Sequence, residues 1–247
     1  WDLKQDWKSI VPHTLEEAYE VADAIEQGNF DEVREELGDL LFQIVFYAQL
    51  AEEEGRFDFD AIAQSVTDKL IARHPHVFGE ASREQSDAEL HTAWEASKRA
   101  ERAAKGVAND SVLDGVTRGL PALSHSVKMQ KRAARVGFDW PDAEYVWTKL
   151  AEEIAELRVE LAADVPVAKR VDAELGDVLL AVSNLARHVG VDPEGALRRA
   201  DRRFENRFRH LERALQQKGR ALEDCSLDEL EAAWQEAKLA LAAREAE

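Results

Sequence analysis

The strongest constraint on the fold is that the pattern of the chain is written twice. "LEEAYEVADAI" from Leu15 is answered by "AEEIAELRVEL" from Ala151, and "EELGDLLFQIVFYA" from Glu35 by "AELGDVLLAVSNLA" from Ala173. "DKLIAR" ending at Arg73 is matched by "RRFENR" ending at Arg207, and "WEASK" at Trp94 by "WQEAK" at Trp234. Four matches in one order mark a tandem duplication of a unit of roughly a hundred residues. Any fold must therefore be made from a unit that can be used twice.

The period of the pattern says what the unit is made of. Leu37, Leu40, Leu41, Ile44, Val45, Ala48 and Ala51 form one helical stripe; Leu175, Val178, Leu179, Val182, Leu185, Ala186 and Val189 form another. Strand-like alternation is not evident, so the fold class is all-α. The spacing predicts helices over 14–27, 31–54, 58–73 and 87–104, then over 142–163, 167–190, 193–218 and 226–245. Thr14 with Glu17, Asp192-Pro193, and Ser226 with Glu229 read as helix starts. Gly and polar residues crowd the stretch Ala104 to Pro121, which gives a first domain over 1–106, a linker over 107–121 and a second domain over 122–247. The piece "ALSHSVKMQKRAARVGFDW" that leads into the second domain has no counterpart in the first.

Composition narrows the function. Asp plus Glu number 50 against 32 Lys plus Arg, a net charge of −18. That balance argues against stable binding to nucleic acid or an anionic membrane. It leaves room for an anionic substrate held through a cation or a local Arg and Lys cluster. The single cysteine, Cys225, allows no intrachain disulfide and fits a cytoplasmic protein. No run approaches the roughly 20 apolar residues of a membrane helix.

The repeated acids carry the chemistry. Each half has E-E-x-x-E followed, after a turn, by E-x-x-D: Glu152, Glu153, Glu156, Glu174 and Asp177 in the second, and Glu16, Glu17, Glu20, Glu36 and Asp39 in the first. Residues three apart share a helix face, and helices joined by a short turn are antiparallel neighbours. Glu153 and Glu156 can thus face Glu174 and Asp177. Carboxylates converging without a cation repel, and an all-oxygen ligand set suits a hard divalent ion such as Mg²⁺. Gly38 and Gly176 each weaken a helix interior by about 1 kcal/mol against Ala, which suggests close approach by another helix or a ligand.

Other residues fall in line with the acids. Lys149 precedes Glu153 by one turn, and Asn184 lies two turns beyond Asp177. Arg203 and Arg207 stand at i, i+4, as do Trp234 and Lys238. Together they could hold a nucleoside triphosphate: acids for Mg²⁺, cations for phosphate oxygens, an indole for the base. No glycine-rich phosphate loop is present, "RHPHVF" reads as a structural turn, and Cys225 has no evident His partner. The acidic pairs lack the Glu-x-x-His form of a di-iron bundle. A non-catalytic helical module that binds nucleotide or a protein partner is the alternative.

The two E-E-x-x-E and E-x-x-D pairs, with "VPHTLEEAYEV", "GDLLFQIVFYAQ", "RHPHVF", "GFDW" and "NLARH", resemble the MazG-type nucleoside triphosphate pyrophosphohydrolases of the all-α NTP pyrophosphatase superfamily, in their tandem two-domain form. The resemblance covers nearly the whole chain. It implies two helical units of four-helix-bundle type, completed by dimerisation into a homodimer. The implied activity is cytoplasmic, house-cleaning hydrolysis of NTPs or dNTPs to the monophosphate and pyrophosphate. Mg²⁺ is the implied cofactor, with Mn²⁺ able to substitute. The family's metal ligands map onto Glu153, Glu156, Glu174 and Asp177. Its nucleotide contacts map onto Lys149 to Glu152, Arg170 to Ala173, Arg203 to Arg207, and Trp234. Lys238 and Asn184 join that set by position. Many relatives have Lys where this chain has Arg203. In tandem members the second half is usually the active one, and here Phe46 and Thr67 stand where the second half has Asn184 and Asp201. Glu17, Glu20, Glu36 and Asp39 persist in the first half as a vestigial site.

Overall fold

The computed structural model describes residues 4–78 and 111–245. The helix expected over 87–104, with Trp94, lies outside the described residues, as does the first part of the expected linker. Every regular element among the described residues is helical. The chain divides into two compact units, Trp1–Ala108 and Asn109–Glu247.

In the first unit, α1 (Trp7–Gln27) and α2 (Phe30–Glu53) form a hairpin, followed by α3 (Phe59–Arg73) and a single turn, α4 (Pro75–Phe78). The α1–α2 turn is only two residues long, and Gly28 takes a left-handed φ of 71° there. α1 begins well before the expected start at Thr14. Asp6 caps it: the carboxylate accepts from the backbone N–H of Lys8 and Ser9 at 2.9 and 2.8 Å, and the Ser9 hydroxyl accepts from the Asp6 N–H at 2.8 Å. Thr14 is therefore interior, and its hydroxyl donates to the Ile10 carbonyl at 3.1 Å. Pro12 lies inside the helix, where it removes the one donor that would meet the Lys8 carbonyl.

The second unit repeats the hairpin and adds to it. Its elements are α5 (Ala122–Ala134), α6 (Ala143–Leu161), α7 (Ala168–His188), α8 (Pro193–Gln217) and α9 (Leu227–Glu245). The sequence piece without a counterpart is mostly α5, a helix that packs on α7. From Ser111 the expected linker is tied to α5: the Arg132 guanidinium donates to the carbonyls of Asp114 and Gly115. α6 and α7 form the counterpart of α1 and α2. α8 and α9 form a second hairpin around Leu211, Leu215 and Ala233, with Leu230 and Trp234 against it. Asp192 caps α8 with Pro193 in its first turn. At α9 the cap is reciprocal: the Ser226 N–H donates to the Glu229 carboxylate at 2.8 Å, and the Glu229 N–H to the Ser226 hydroxyl at 3.3 Å.

The apolar stripes are only partly covered. On α2, Ala48 and Ala51 are buried while Leu37, Leu41, Ile44 and Val45 are exposed; on α7, Leu175, Leu179, Val182 and Val189 are exposed. A two-helix hairpin covers one side of each helix, and these stripes are wider than that side. Gly38 and Gly176 have open space where a Cβ would stand, so neither marks a close approach within its unit.

Replacing Ser226 by Ala should lower stability by about 1 kcal/mol through loss of the α9 cap, measured by denaturant unfolding. The Glu229 carboxyl is held down at about 2 by the Ser226 N–H and Arg220. Its contribution is present above the ordinary 4.5 and is lost as pH falls toward 2, so Glu229→Gln should flatten that part of the pH–stability curve.

Candidate metal centre

The α6–α7 hairpin sets the register of the acids. Glu153 and Glu156 lie one turn apart on α6, Glu174 lies opposite on α7, and one carboxylate oxygen from each falls within 4.8 Å of the others. Glu153 is 8% exposed, Glu174 is half-buried and Glu156 is exposed. Burial is the main cause that raises the Glu174 carboxyl above its ordinary 4.5, followed by the charges of Glu156, Asp177 and Glu153. Asp177, one turn after Glu174, is exposed and is not among the three that close to 4.8 Å. Its charge nevertheless reaches Glu174. Three oxygen donors around one point, with a raised carboxyl among them, fit a hard divalent cation.

Lys149 borders this group. Its ammonium stands 2.8 Å from Glu153 and 2.9 Å from Glu152, and those hydrogen bonds raise it above the ordinary lysine range. Beside the acids a groove of about 430 Å³ is lined by Glu152, Glu156, Val159, Glu160 and Glu174. Arg170 stands 3.7 Å from Glu160 at the closed end of the hairpin.

The remaining nucleotide-binding candidates are dispersed. Arg203 and Arg207 lie on α8 and Trp234 and Lys238 on α9; none of the four lines the acid groove. Trp234 is half-buried, with its ring centre 5.1 Å from that of Phe204. Asn184 belongs to a cluster that sequence reasoning had not assembled. Its Oδ1 accepts from Arg187 Nε at 3.1 Å and Nη2 at 2.7 Å, while Arg187 forks onto Asp139, which His188 also approaches at 3.2 Å. The strings "GFDW" and "NLARH" were visible, but no spacing rule joins residues so far apart in the chain.

The first unit repeats the centre with altered neighbours. Glu17, Glu20 and Glu36 close to 4.8 Å in the same manner, with Asp39 again outside the three. Burial is the first cause that raises Glu17 and Glu36, and Glu20 and Asp39 add to it. Where the second unit has Lys149 on its glutamates, the first has His13, 3.7 Å from Glu16. Buried Gln43 donates to Glu17 at 3.4 Å, at the position of Ala181. Phe46, at the position of Asn184, packs edge-on to Phe42.

Comparison with known proteins decides the family. Residues 5–78 match the model of the MazG nucleotide pyrophosphohydrolase domain. The chain is 48% identical over 238 residues to a nucleoside triphosphate pyrophosphohydrolase of Escherichia coli strain K12, covering 96% of this chain and 89% of that one. The chain belongs to the MazG family. It is also 39% identical, over 96% of its length and 88% of the relative's, to a Thermotoga maritima protein named nucleoside triphosphate pyrophosphohydrolase/pyrophosphatase MazG. A Mycobacterium tuberculosis nucleoside triphosphate pyrophosphohydrolase matches 56% of this chain at 39% identity. The MazG domain match falls on the first unit, so that unit carries the family pattern in its own right, acid cluster included.

For this MazG chain the raised carboxyls make a signed prediction. A carboxyl whose folded pKa lies above the unfolded value is destabilising once ionised, and a cation relieves that repulsion. The rise in Tm on adding Mg²⁺ should be smaller near the ordinary carboxyl value of 4.5 and larger at about pH 8. Glu174→Gln should reduce the rise at the higher pH, as thermal melts followed by circular dichroism would measure.

Proposed function

We propose that the chain is a divalent-cation-dependent nucleoside triphosphate pyrophosphohydrolase that cleaves between the α and β phosphates of NTPs or dNTPs, releasing the monophosphate and pyrophosphate. The observation that carries this reading is the Glu153–Glu156–Glu174 cluster on a helix hairpin of a MazG-family chain. Asp177, whose charge reaches Glu174, is the fourth ligand proposed. A bound Mg²⁺ supplies charge neutralisation at the phosphates and lowers the pKa of water; Mn²⁺ substitutes for it.

The chain's own groups divide the remaining work. Lys149 holds Glu152 and Glu153 in place, and its ammonium donates to a phosphate oxygen of the substrate. Glu152, exposed at the edge of the groove, orients the attacking water or takes its proton. Arg203 and Arg207, one turn apart on α8, offset charge on the triphosphate and the leaving pyrophosphate, with Lys238, Arg170, Asn184 and Trp234 as further nucleotide contacts. The exposed stripes on α2 and α7 support a homodimer, in which the hairpin of a second copy completes a four-helix bundle.

The division of labour between the units follows from their differences. The second domain, 122–247, is the catalytic one, joined through the linker at 107–121 to a first domain, 1–106, that is inactive or regulatory. In the first, Gln43 already donates to Glu17, His13 replaces Lys149, and Phe46 removes the polar group of Asn184. These changes also support a second role for that unit as a non-catalytic interaction module. Among the described residues no helix is long and apolar enough to cross a membrane. The net charge of −18 favours a role without stable nucleic-acid binding, and the reading carries with it a cytoplasmic house-cleaning role.

Product analysis over all NTPs and dNTPs tests the reading. Monophosphate and pyrophosphate are expected; diphosphate and phosphate would refute it. Glu153→Ala and Asp177→Ala should each lower kcat by on the order of 100-fold or more, the scale of losing one electrostatic stabiliser, with helix content unchanged. Glu17→Ala should leave kcat within about twofold; a larger loss would transfer catalysis to the first unit as well.

A further inference from the structure

Lys149 and the acids of the α6–α7 seam share one carboxylate. Glu153 is the most buried of the three clustered glutamates, and its Oε1 accepts from the Lys149 ammonium at 2.8 Å. The same ammonium reaches Glu152 Oε1 at 2.9 Å, at the exposed edge of the groove. One lysine is thus the counterion of the buried glutamate and stands one swing away from open solvent.

The distances set a conflict. A Mg–O bond is about 2.0–2.1 Å long, so an ion on that Glu153 oxygen would stand no more than about 5 Å from an ammonium bonded to the same oxygen. Two like charges at that range repel, and beside a buried carboxylate they are screened less than in water. One of the two has to yield. The acids are nearly in place for a cation, since their oxygens already close to 4.8 Å. The lysine is the movable partner: its side chain is 36% exposed, on a flexible four-carbon stem. Glu152, at 54% exposure, lets the ammonium turn outward with one hydrogen bond kept.

The first unit supplies the contrast. His13 takes the position of Lys149, and its ring lies 3.7 Å from Glu16, the counterpart of Glu152. Glu17, the counterpart of Glu153, accepts instead from Gln43 Nε2 at 3.4 Å. Gln43 is 7% exposed and comes from the facing helix. An amide has no net charge for a cation to repel, and a buried one is held by its packing. The displaceable positive group therefore belongs to the second unit.

We propose that Lys149 and a divalent cation exclude one another on Glu153, so that binding of the cation releases the Lys149 ammonium into the groove, where a phosphate oxygen of the triphosphate can take it. Cation and triphosphate then favour each other beyond their direct contact, by the same factor in both directions. The proposal rests on the reading of the chain as a nucleoside triphosphate pyrophosphohydrolase, and makes the lysine's contact with substrate conditional on the cation.

Calorimetric titration of the full chain with Mg²⁺ alone, at about pH 8 where carboxyls are ionised, tests the exclusion. The binding lost in Glu174→Gln identifies this centre. Lys149→Met, which keeps an apolar stem and drops the charge, should bind Mg²⁺ there about tenfold more tightly than wild type, the order of one charge-assisted hydrogen bond that no longer has to be broken. A lysine that only supports the glutamates gives weaker or unchanged binding, and either result overturns the proposal. Selective carbon-13 labelling of lysine reads the release in the wild-type chain. The Lys149 side-chain signal, assigned by its loss in Lys149→Arg, should move toward that of a solvent-exposed lysine as Mg²⁺ is added; a signal that stays in place refutes the release. With α,β-methylene ATP, the gain in affinity that Mg²⁺ confers should be roughly tenfold smaller in Lys149→Met than in wild type, and an equal gain refutes the coupling. The two Mg²⁺ measurements need no turnover. If they come out as expected while the wild-type chain releases no pyrophosphate, the functional reading fails and the exclusion stands; if pyrophosphate is released while Lys149 stays on Glu153, the exclusion alone fails.

Discussion

The repulsion among carboxylates at the α6–α7 seam is the interaction on which the rest of the second unit depends. Glu153, Glu156 and Glu174 are brought within 4.8 Å by the backbone register of an antiparallel hairpin. Helix packing holds them there despite the electrostatic cost. That cost is visible in the raised Glu174 carboxyl, and Lys149 offsets part of it from the Glu153 side. A seam of this kind is less stable empty than with a hard cation among its carboxylates. Stability and ligand affinity are coupled through the same charges.

The duplicated unit shows how few residues alter such a seam. Both hairpins close three glutamates to the same span. In the first, an amide from buried Gln43 replaces the methyl of Ala181, and an imidazole replaces the Lys149 ammonium. A neutral amide donor takes up one Glu17 oxygen without the mobility of a lysine chain. The scaffold and its acids can therefore persist after the surrounding groups have diverged, since hairpin packing depends on Ile10, Ala24, Ala48 and Ala51 and not on the site.

Much of this was legible in the residues. Helical class, tandem organisation and the acid pairs on each helix follow from period, repetition and i, i+3 spacing, because those are local properties of a helix. The start of α1 was misread: Thr14 with Glu17 has the spacing of a cap, while the Asp6 and Ser9 box that makes the true one lies before it. The glycines of "ELGD" were expected at a close approach and instead face open space. The apolar stripes were evident, but their exposure was not, since the width of a stripe does not say how many helices one unit supplies to cover it.

The sequence by itself determined which residues can act: the repeated acids, the lysine one turn before them, the arginine pair on α8. Helical periodicity places such residues on a common face whatever the surroundings. Only the tertiary structure decided which of them meet. It closed three acids and left Asp177 just outside, kept Trp234 against Phe204, and joined Asp139 to Arg187 across a long stretch of chain. Contacts of that last kind depend on how the Gly137–Trp140 turn folds over the end of α7. No local pattern encodes that approach, because the two partners share no helix and no spacing.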